Sequence, residues 1–247
     1  MLAGKVGLVT GIANDQSIVY GCARALRDFG ANLATTYLND KAKPYVEPLA
    51  GKLGAELFLP LEVRQATQMA AVFAAIREKW GRLDFLIHSV AFAPKADLHG
   101  RLVESSVEGF LAAMDISCHS FVRMAKLAEP LMTEGGVLIT MSYYGAAKFI
   151  SNYSLTGPVK AALEAAVRCL AYELGRKGIR VHAVSPGPLK TRAAFDELLD
   201  KAEHRAPEHD LVDILDIGAT TAFLCSPFAK LITGGTIFVD GGYNIRG

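Results

Sequence analysis

Short, almost continuously apolar runs alternate with longer amphipathic stretches along nearly the whole chain, and no other feature narrows the fold so far. Residues 5–10 (KVGLVT), 32–37 (NLATTY), 56–59, 84–88 (DFLIH), 136–141 (GVLITM), 179–184 (IRVHAV) and 236–240 (TIFVD) read as strands. Helical spacing occupies 17–29, 41–53, 65–80, 105–131 and 153–174, with Gly30 and Gly81 as stops and Pro48 as an irregularity in the second helix. Strands that are apolar on both faces belong in a parallel sheet covered on both sides. Right-handed crossovers then predict an α/β fold with a doubly wound, Rossmann-like parallel sheet flanked by helices, whose ligands lie beyond the carboxyl ends of the strands.

A chain of 247 residues suits one such domain, and 51% hydrophobic against 21% charged residues supplies a core and argues against disorder. The formal net charge of +1 gives no ground for a nucleic-acid partner or an anionic membrane surface. No apolar stretch reaches membrane-spanning length, and the start, MLAGKVGLVTG, is too short in its apolar part for a signal peptide. Cys22, Cys118, Cys169 and Cys225 are widely spaced with no C-x-x-C, which reads as reduced, mostly buried thiols of a cytoplasmic protein. His119, His182, His204 and His209 have no partner at metal-ligand spacing, so no metal is expected, and His88, after a buried strand, reads as structural.

Two places carry chemistry. In the stretch from Met141 to Gly175, Tyr153 and Lys160 are seven apart, which on a helix puts both on one face. A phenol beside an ammonium, whose charge favours the ionised form, can stabilise an oxyanion. Tyr143, ten residues upstream at a strand end, would approach the same point. These residue types also suit plain amphipathic packing, so the trio alone does not choose between the two. At the other place, the first strand leads into TGIANDQSIVYG. There Gly11 would let backbone approach a phosphate and Ser17 would cap a helix whose amides face an anion. Only Gly11 and Gly21 are glycines, so this is not the G-x-G-x-x-G fingerprint, and a plain strand-to-helix turn fits equally. The second strand ends in Thr36-Tyr37-Leu38-Asn39 with neither an acid for a ribose nor an arginine for a 2′-phosphate, so it says little about NAD against NADP.

The order of several motifs resembles the enoyl-(acyl-carrier-protein) reductases of the FabI type, a divergent branch of the short-chain dehydrogenase/reductases, over essentially the whole chain. The motifs are Gly11 with Ser17, TYLNDK at 36–41, HSVAFAP at 88–94, DISCHSF at 115–121, SYYGA at 142–146, Tyr153 with Lys160, SPGPLKT at 185–191 and VDGGY at 239–243. Tyr144 and Lys148 form a Y-x3-K like that of the carbonyl-reducing branch, but Leu131 stands thirteen residues before Tyr144 where that branch has a serine, and Tyr144 falls in an expected loop. Counting back from Lys160 instead, Thr156 holds the usual tyrosine position and Tyr143 the serine position. Tyr153 is then the acid moved one turn back. The resemblance implies NADH, with NADPH as the alternative, lying over the strand ends. Gly11, Ser17 and Ile18 would hold the pyrophosphate, Glu62 and Val63 would border the adenine, and Ser89, Val90 and Ala91 would line the nicotinamide ribose. Lys160 would bind ribose hydroxyls, and Leu189 and Thr191 would meet the carboxamide and phosphate. The implied substrate is a trans-2-enoyl thioester on acyl carrier protein, or on CoA. Tyr153 and Lys160 are its catalytic residues, and Tyr143 shapes the acyl site and assists the same oxygen.

The chain departs from the family at Val19 and Ala91, where smaller residues are common, and at 191–210. The family counterpart of that segment is a mobile lid over the acyl chain. Here Ala193 and Ala194 run straight into Phe195 and Leu198, about five residues short of the usual loop. Either the lid is short or a stretch of chain is missing there. Asp196, Glu197 and Asp200 stand where basic residues would greet an acidic carrier protein; an ordinary solvated helix face explains them as well. The resemblance also implies a homotetramer with the 153–174 helix near one interface; the small residues Ala161, Ala162, Ala165, Ala166 and Ala171 of that helix suit close helix–helix contact, inside the fold or across a subunit interface. Two further readings stay open: a related reductase of carbonyls or other activated alkenes, and a non-catalytic dinucleotide-binding protein.

Overall fold

Seven parallel strands form one sheet in the order β3-β2-β1-β4-β5-β6-β7 in a computed structural model that describes residues 1–98, 100–151, 153–189, 206–208 and 211–245. The strands are β1 (Val6–Thr10), β2 (Asn32–Tyr37), β3 (Leu57–Pro60), β4 (Phe85–His88), β5 (Gly136–Met141), β6 (Ile179–Pro186) and β7 (Thr236–Val239). The described helices are α1 (Ile18–Asp28), α2 (Lys43–Lys52), α3 (Ala66–Trp80), α4 (Lys95–Leu98), α5 (Val107–Met114), α6 (Ser120–Ala128), α7 (Thr156–Leu174) and α8 (Ile214–Cys225). The strand order reverses between β1 and β4, whose ladder pairs Gly7 with Phe85 and Thr10 with His88. The reversal opens a crevice at their carboxyl ends, where a doubly wound sheet binds its ligand.

Each face of the sheet carries its own core. Met69, Val72 and Ile76 of α3, Phe121 and Met124 of α6, and Leu163 and Val167 of α7 bury one face. Val19 and Leu26 of α1, Val46 and Leu49 of α2 and Ile217 of α8 bury the other. Each such side chain contributes about 1.5–3 kcal/mol by leaving water. On the second face α1 and α8 cross with their backbones touching. A Cβ on Gly21 would lie 2.2 Å from the Ile214 carbonyl oxygen, and one on Gly218 would lie 2.5 Å from the Gly21 oxygen. Gly21 is therefore a packing glycine.

The short α4 lies outside the expected helices, and three longer stretches also differ from expectation. The single helix expected over 105–131 is α5, a π turn at Asp115–His119, α6 and a 3-10 turn at Glu129–Leu131. At the π turn the Ser120 hydroxyl donates to the Ile116 carbonyl at 2.6 Å, and Ser117 reaches out to Phe92. Side chains thus compete for the ladder where it widens. The helix expected from 153 begins at Thr156. Pro158 has no N–H for the Ser154 carbonyl and its ring crowds that carbonyl, so the helix does not reach back to Tyr153. Finally, α8 is absent from the expected helices although its start carries a signal: Asp213 accepts from the Leu215 amide and Asp216 returns a bond to the Asp213 amide.

Candidate active site

Gly11 leaves β1 at φ +99°, and a Cβ there would lie 2.0 Å from the Ser89 carbonyl oxygen at the end of β4. Any side chain would push the two strand ends apart at the crevice. Ser17 does not cap α1 as expected. Its Oγ accepts from the Ala13 and Asn14 amides at 3.1 and 3.0 Å and donates to Asn14 Oδ1 at 3.2 Å, shaping the loop ahead of the helix. With no side-chain cap, the first-turn amides of Ile18 and Val19 face out with the positive end of the helix dipole. At the ends of β2 and β3 a cleft of about 330 Å³ is lined by Leu38, Asn39, Asp40, Pro60, Glu62, Gln65 and Gln68. These features fit a dinucleotide: amides without a cap for a pyrophosphate, and a polar cleft for an adenosine end.

Glu62 lines that cleft with its carboxylate held by the Arg64 guanidinium at 3.2 Å, which lowers its pKa. Val63 is buried, so only its backbone can border a ligand, and its carbonyl accepts from Arg123 at 3.0 Å. Arg123, bonded also to Asp115, thereby ties the π turn to the chain just after β3. Ser89 and Val90 are half-buried and Ala91 is exposed. The chain just after them is clamped by Ser117, whose Oγ accepts from the Phe92 amide at 2.9 Å and donates to the Phe92 carbonyl at 3.1 Å. Leu189 is buried at the end of the β6 loop. Thr191, Ala193, Ala194, Phe195 and Leu198 lie outside the described residues.

Tyr143 and Tyr153 meet edge to face with ring centroids 4.8 Å apart, a favourable arrangement for two quadrupoles. Tyr153 lies upstream of α7, its carbonyl accepting from the Gly157 amide at 3.0 Å and from the Thr156 hydroxyl at 3.1 Å. The expected lowering of its pKa by Lys160 does not occur. Burial, with Tyr143 adding to it, pushes the Tyr153 phenol well above its usual value, and burial pushes Tyr143 up to about 12. Both phenols are hydrogen-bond donors at neutral pH. Lys160 is buried, with its ammonium donating to the Met141 carbonyl at 2.7 Å. Burial lowers its pKa to about 8, while Cys118 and Glu164 act in the other direction.

Behind Lys160, His88 is held at both ring nitrogens, by Thr140 at 2.9 Å and Ser120 at 2.8 Å. The Ser120 hydroxyl is spent on the Ile116 carbonyl, so its oxygen accepts from Nε2–H and Nδ1 accepts from Thr140. Burial, with the Lys160 charge, drops the His88 pKa to about 3. His88 is thus a neutral structural link between β4, β5 and the π turn, as its position after a buried strand suggests. Tyr144 and Lys148 sit in and beside a 3-10 turn, the ammonium 5.5 Å from the Tyr144 ring centroid and the ring packed on Tyr243. They form no pair on a long helix.

A second cleft, of about 610 Å³, opens beside Tyr153 and is lined by residues of 100–103, 145–150 and the start of α7. Tyr143 is not part of its lining. Sequence reading passes over Ser117, Arg123, Ser142 and Glu164. The visible signals are weak: polar residues inside DISCHSF, a serine before Tyr143, and one acid on the small-residue face of α7.

Comparison with known proteins agrees with this geometry. Residues 11–244 match the family model for enoyl-(acyl carrier protein) reductase. The enoyl-(acyl-carrier-protein) reductase (NADH) FabI of Nostoc sp. is 48% identical, covering 100% of this chain and 98% of that protein. Its alignment runs over 254 positions against 247 residues here, so it carries at least seven residues without a counterpart in this chain. The FabI protein of Haemophilus influenzae is 44% identical over 99% of this chain and 95% of its own length. Among solved structures, the Anaplasma phagocytophilum reductase in complex with NAD superposes with a TM-score of 0.97 at 42% identity, covering 100% of this chain and 96% of that one. The Bacillus cereus enoyl-acyl carrier protein reductase with NADP+ and an indole naphthyridinone gives 0.96 at 39% identity, covering 100% and 98%. With the fold, the Tyr143–Tyr153 pair and the buried Lys160 all at the strand ends and the match running the length of the chain, this protein belongs to the enoyl-(acyl carrier protein) reductase family.

Proposed function

We propose that this protein reduces the trans-2 double bond of enoyl thioesters carried on acyl carrier protein, using NADH, in fatty-acid elongation. The observation that carries this reading is the edge-to-face pair of protonated phenols Tyr143 and Tyr153, together with the buried Lys160 ammonium bonded to the Met141 carbonyl at the carboxyl end of β5. The names of the relatives support the substrate and the cofactor. The dihydronicotinamide supplies, when bound, a hydride for the β-carbon of the substrate. Gly11 and the first-turn amides of α1 hold the pyrophosphate, and Lys160 holds ribose hydroxyls. As negative charge gathers on the thioester oxygen, the Tyr153 hydroxyl donates to it and the Lys160 charge lowers its energy. Burial keeps Tyr153 protonated, which suits a donor that must not ionise first. Tyr143, packed on the Tyr153 ring, fixes where that hydroxyl points.

The same reading makes 191–210 the cover over the acyl chain, with Ala193, Ala194, Phe195 and Leu198 as its apolar side. It also makes the protein a cytoplasmic homotetramer. The exposed Cys169 and Tyr172 of α7 support an interface there, and among the described residues no helix is long and apolar enough to cross a membrane. The test is NADH and NADPH oxidation with crotonyl thioesters of carrier protein and of CoA, beside simple ketones. Turnover is expected with the enoyl thioesters and NADH. Reduction of ketones alone, or of nothing, would overturn the reading. Tyr153→Phe should cut turnover about 10²–10³-fold, the cost of one oxyanion donor, with NADH affinity unchanged.

A further inference from the structure

Lys160 carries its charge into a place that nearly excludes water. It is 7% exposed. Among the described residues no carboxylate lies within ion-pair distance of it. A buried ammonium sheds its proton readily unless a negative charge opposes the loss. Glu164 stands four residues along α7, one turn on and on the same face, and its charge acts on Lys160 across that turn. Glu164 is anchored in turn: the Ser142 hydroxyl donates to its Oε1 at 2.5 Å, and Ser142 is 5% exposed. Ser142 directly follows Met141, whose carbonyl receives the Lys160 ammonium. The end of β5 therefore grips both side chains, the cation through a carbonyl and the anion through a hydroxyl.

The other titratable groups around Lys160 carry no charge near neutrality. Cys118 faces it from the π turn, with a thiol that burial pushes up. His88, from the end of β4, stays neutral above about 3. Tyr143 and Tyr153, from the segment ahead of α7, are both pushed up by burial. Among the described residues, Glu164 is left as the one formal charge that acts on the ammonium.

We infer that Glu164, held in place by Ser142, is a positioning residue that keeps Lys160 charged and so sustains the grip on the nucleotide ribose. This rests on the role given to Lys160 under the proposed function. The experiment measures NADH dissociation constants by fluorescence from pH 6 to 9 for the wild type, Glu164→Gln, Glu164→Asp, Ser142→Ala and Lys160→Met. Wild-type affinity falls as pH rises through about 8, where Lys160 loses its proton. Glu164→Gln retains an acceptor for Ser142 and loses only the charge. Its alkaline limb moves to lower pH by about one unit, giving roughly threefold weaker binding at pH 7.5 and no change at pH 6. Glu164→Asp returns the limb toward the wild type, and Ser142→Ala, with the charge present but unanchored, moves it less than Glu164→Gln. Equal weakening at every pH in Glu164→Gln would mean plain packing, and an unmoved limb would mean that Glu164 does not hold the charge; either overturns the inference. Unchanged NADH affinity in Lys160→Met would overturn the role of Lys160 and the inference together.

Discussion

Replacing Gly11 by alanine probes the crevice at its narrowest point. The new Cβ would stand 2.0 Å from the Ser89 carbonyl oxygen, while ordinary contact begins near 3.4 Å, so the ends of β1 and β4 would have to separate by about 1.4 Å. Neither atom is the tip of a flexible side chain, so the strain falls on backbone. Overpacking of this kind costs about 1–3 kcal/mol. Holding an alanine at φ +99° adds about 1–2 kcal/mol. The expected loss is therefore about 2–5 kcal/mol of a domain stability on the order of 5–15 kcal/mol. With a urea m-value of about 3 kcal/mol/M, a loss of about 3 kcal/mol lowers the unfolding midpoint by about 1 M. The natural control is Gly51→Ala in α2, where a Cβ meets nothing within 4 Å. That change should stabilise by about 0.5–1 kcal/mol. Urea unfolding of both variants and NADH titration by fluorescence form the assay, with NADH binding weakened at least tenfold in Gly11→Ala. If Gly11→Ala unfolds with the wild-type midpoint and binds NADH normally, the close approach of Gly11 to Ser89 is not a constraint on the site.

Stability should fall in mild acid. His88 and His182 have folded-state pKa values of about 3 and about 4, both lowered mainly by burial, against an unfolded value of about 6.5. The unfolded chain therefore takes up protons first, and each histidine removes about 2 kcal/mol between pH 7 and 5, before most carboxylates titrate; a urea midpoint that stays flat over that range would contradict two neutral buried imidazoles. Ser117→Ala should destabilise by about 2 kcal/mol, because it strips a donor and an acceptor from the Phe92 backbone, and should weaken NADH binding by loosening the chain after β4. Unchanged unfolding and binding in that variant would remove Ser117 from the support of the site. Sedimentation velocity at micromolar concentration should find a tetramer, and a monomer alone would set aside the interface role of α7.

The sequence by itself determines the sheet and picks out the residues proposed to react. Apolar runs mark all seven strands, and along the central ones the reason is burial on both faces, while β3 and β7 are only partly covered edges. Of the trio, Tyr143 and Tyr153 meet within the 142–155 connection between β5 and α7, and Lys160 is held on α7 against the end of β5. Gly11 is legible only as a glycine that ends the first strand; its close approach to Ser89 is a property of the fold. Packing alone decides the rest. Tyr153 lies off the helix because Pro158 limits the first turn, and α5 and α6 are parted by a π turn that Ser117 favours through Phe92 and Ser120 through the Ile116 carbonyl. Gly21 serves α8, which comes 193 residues later at Ile214, a distance over which no local pattern speaks. The protonation of Tyr153, Lys160 and His88 is set by how far each is buried and by what charge it faces. Burial and local charge are properties of the assembled fold. Only tertiary structure brings Ser142, Glu164 and Lys160 to one place, and with them the electrostatics of the site.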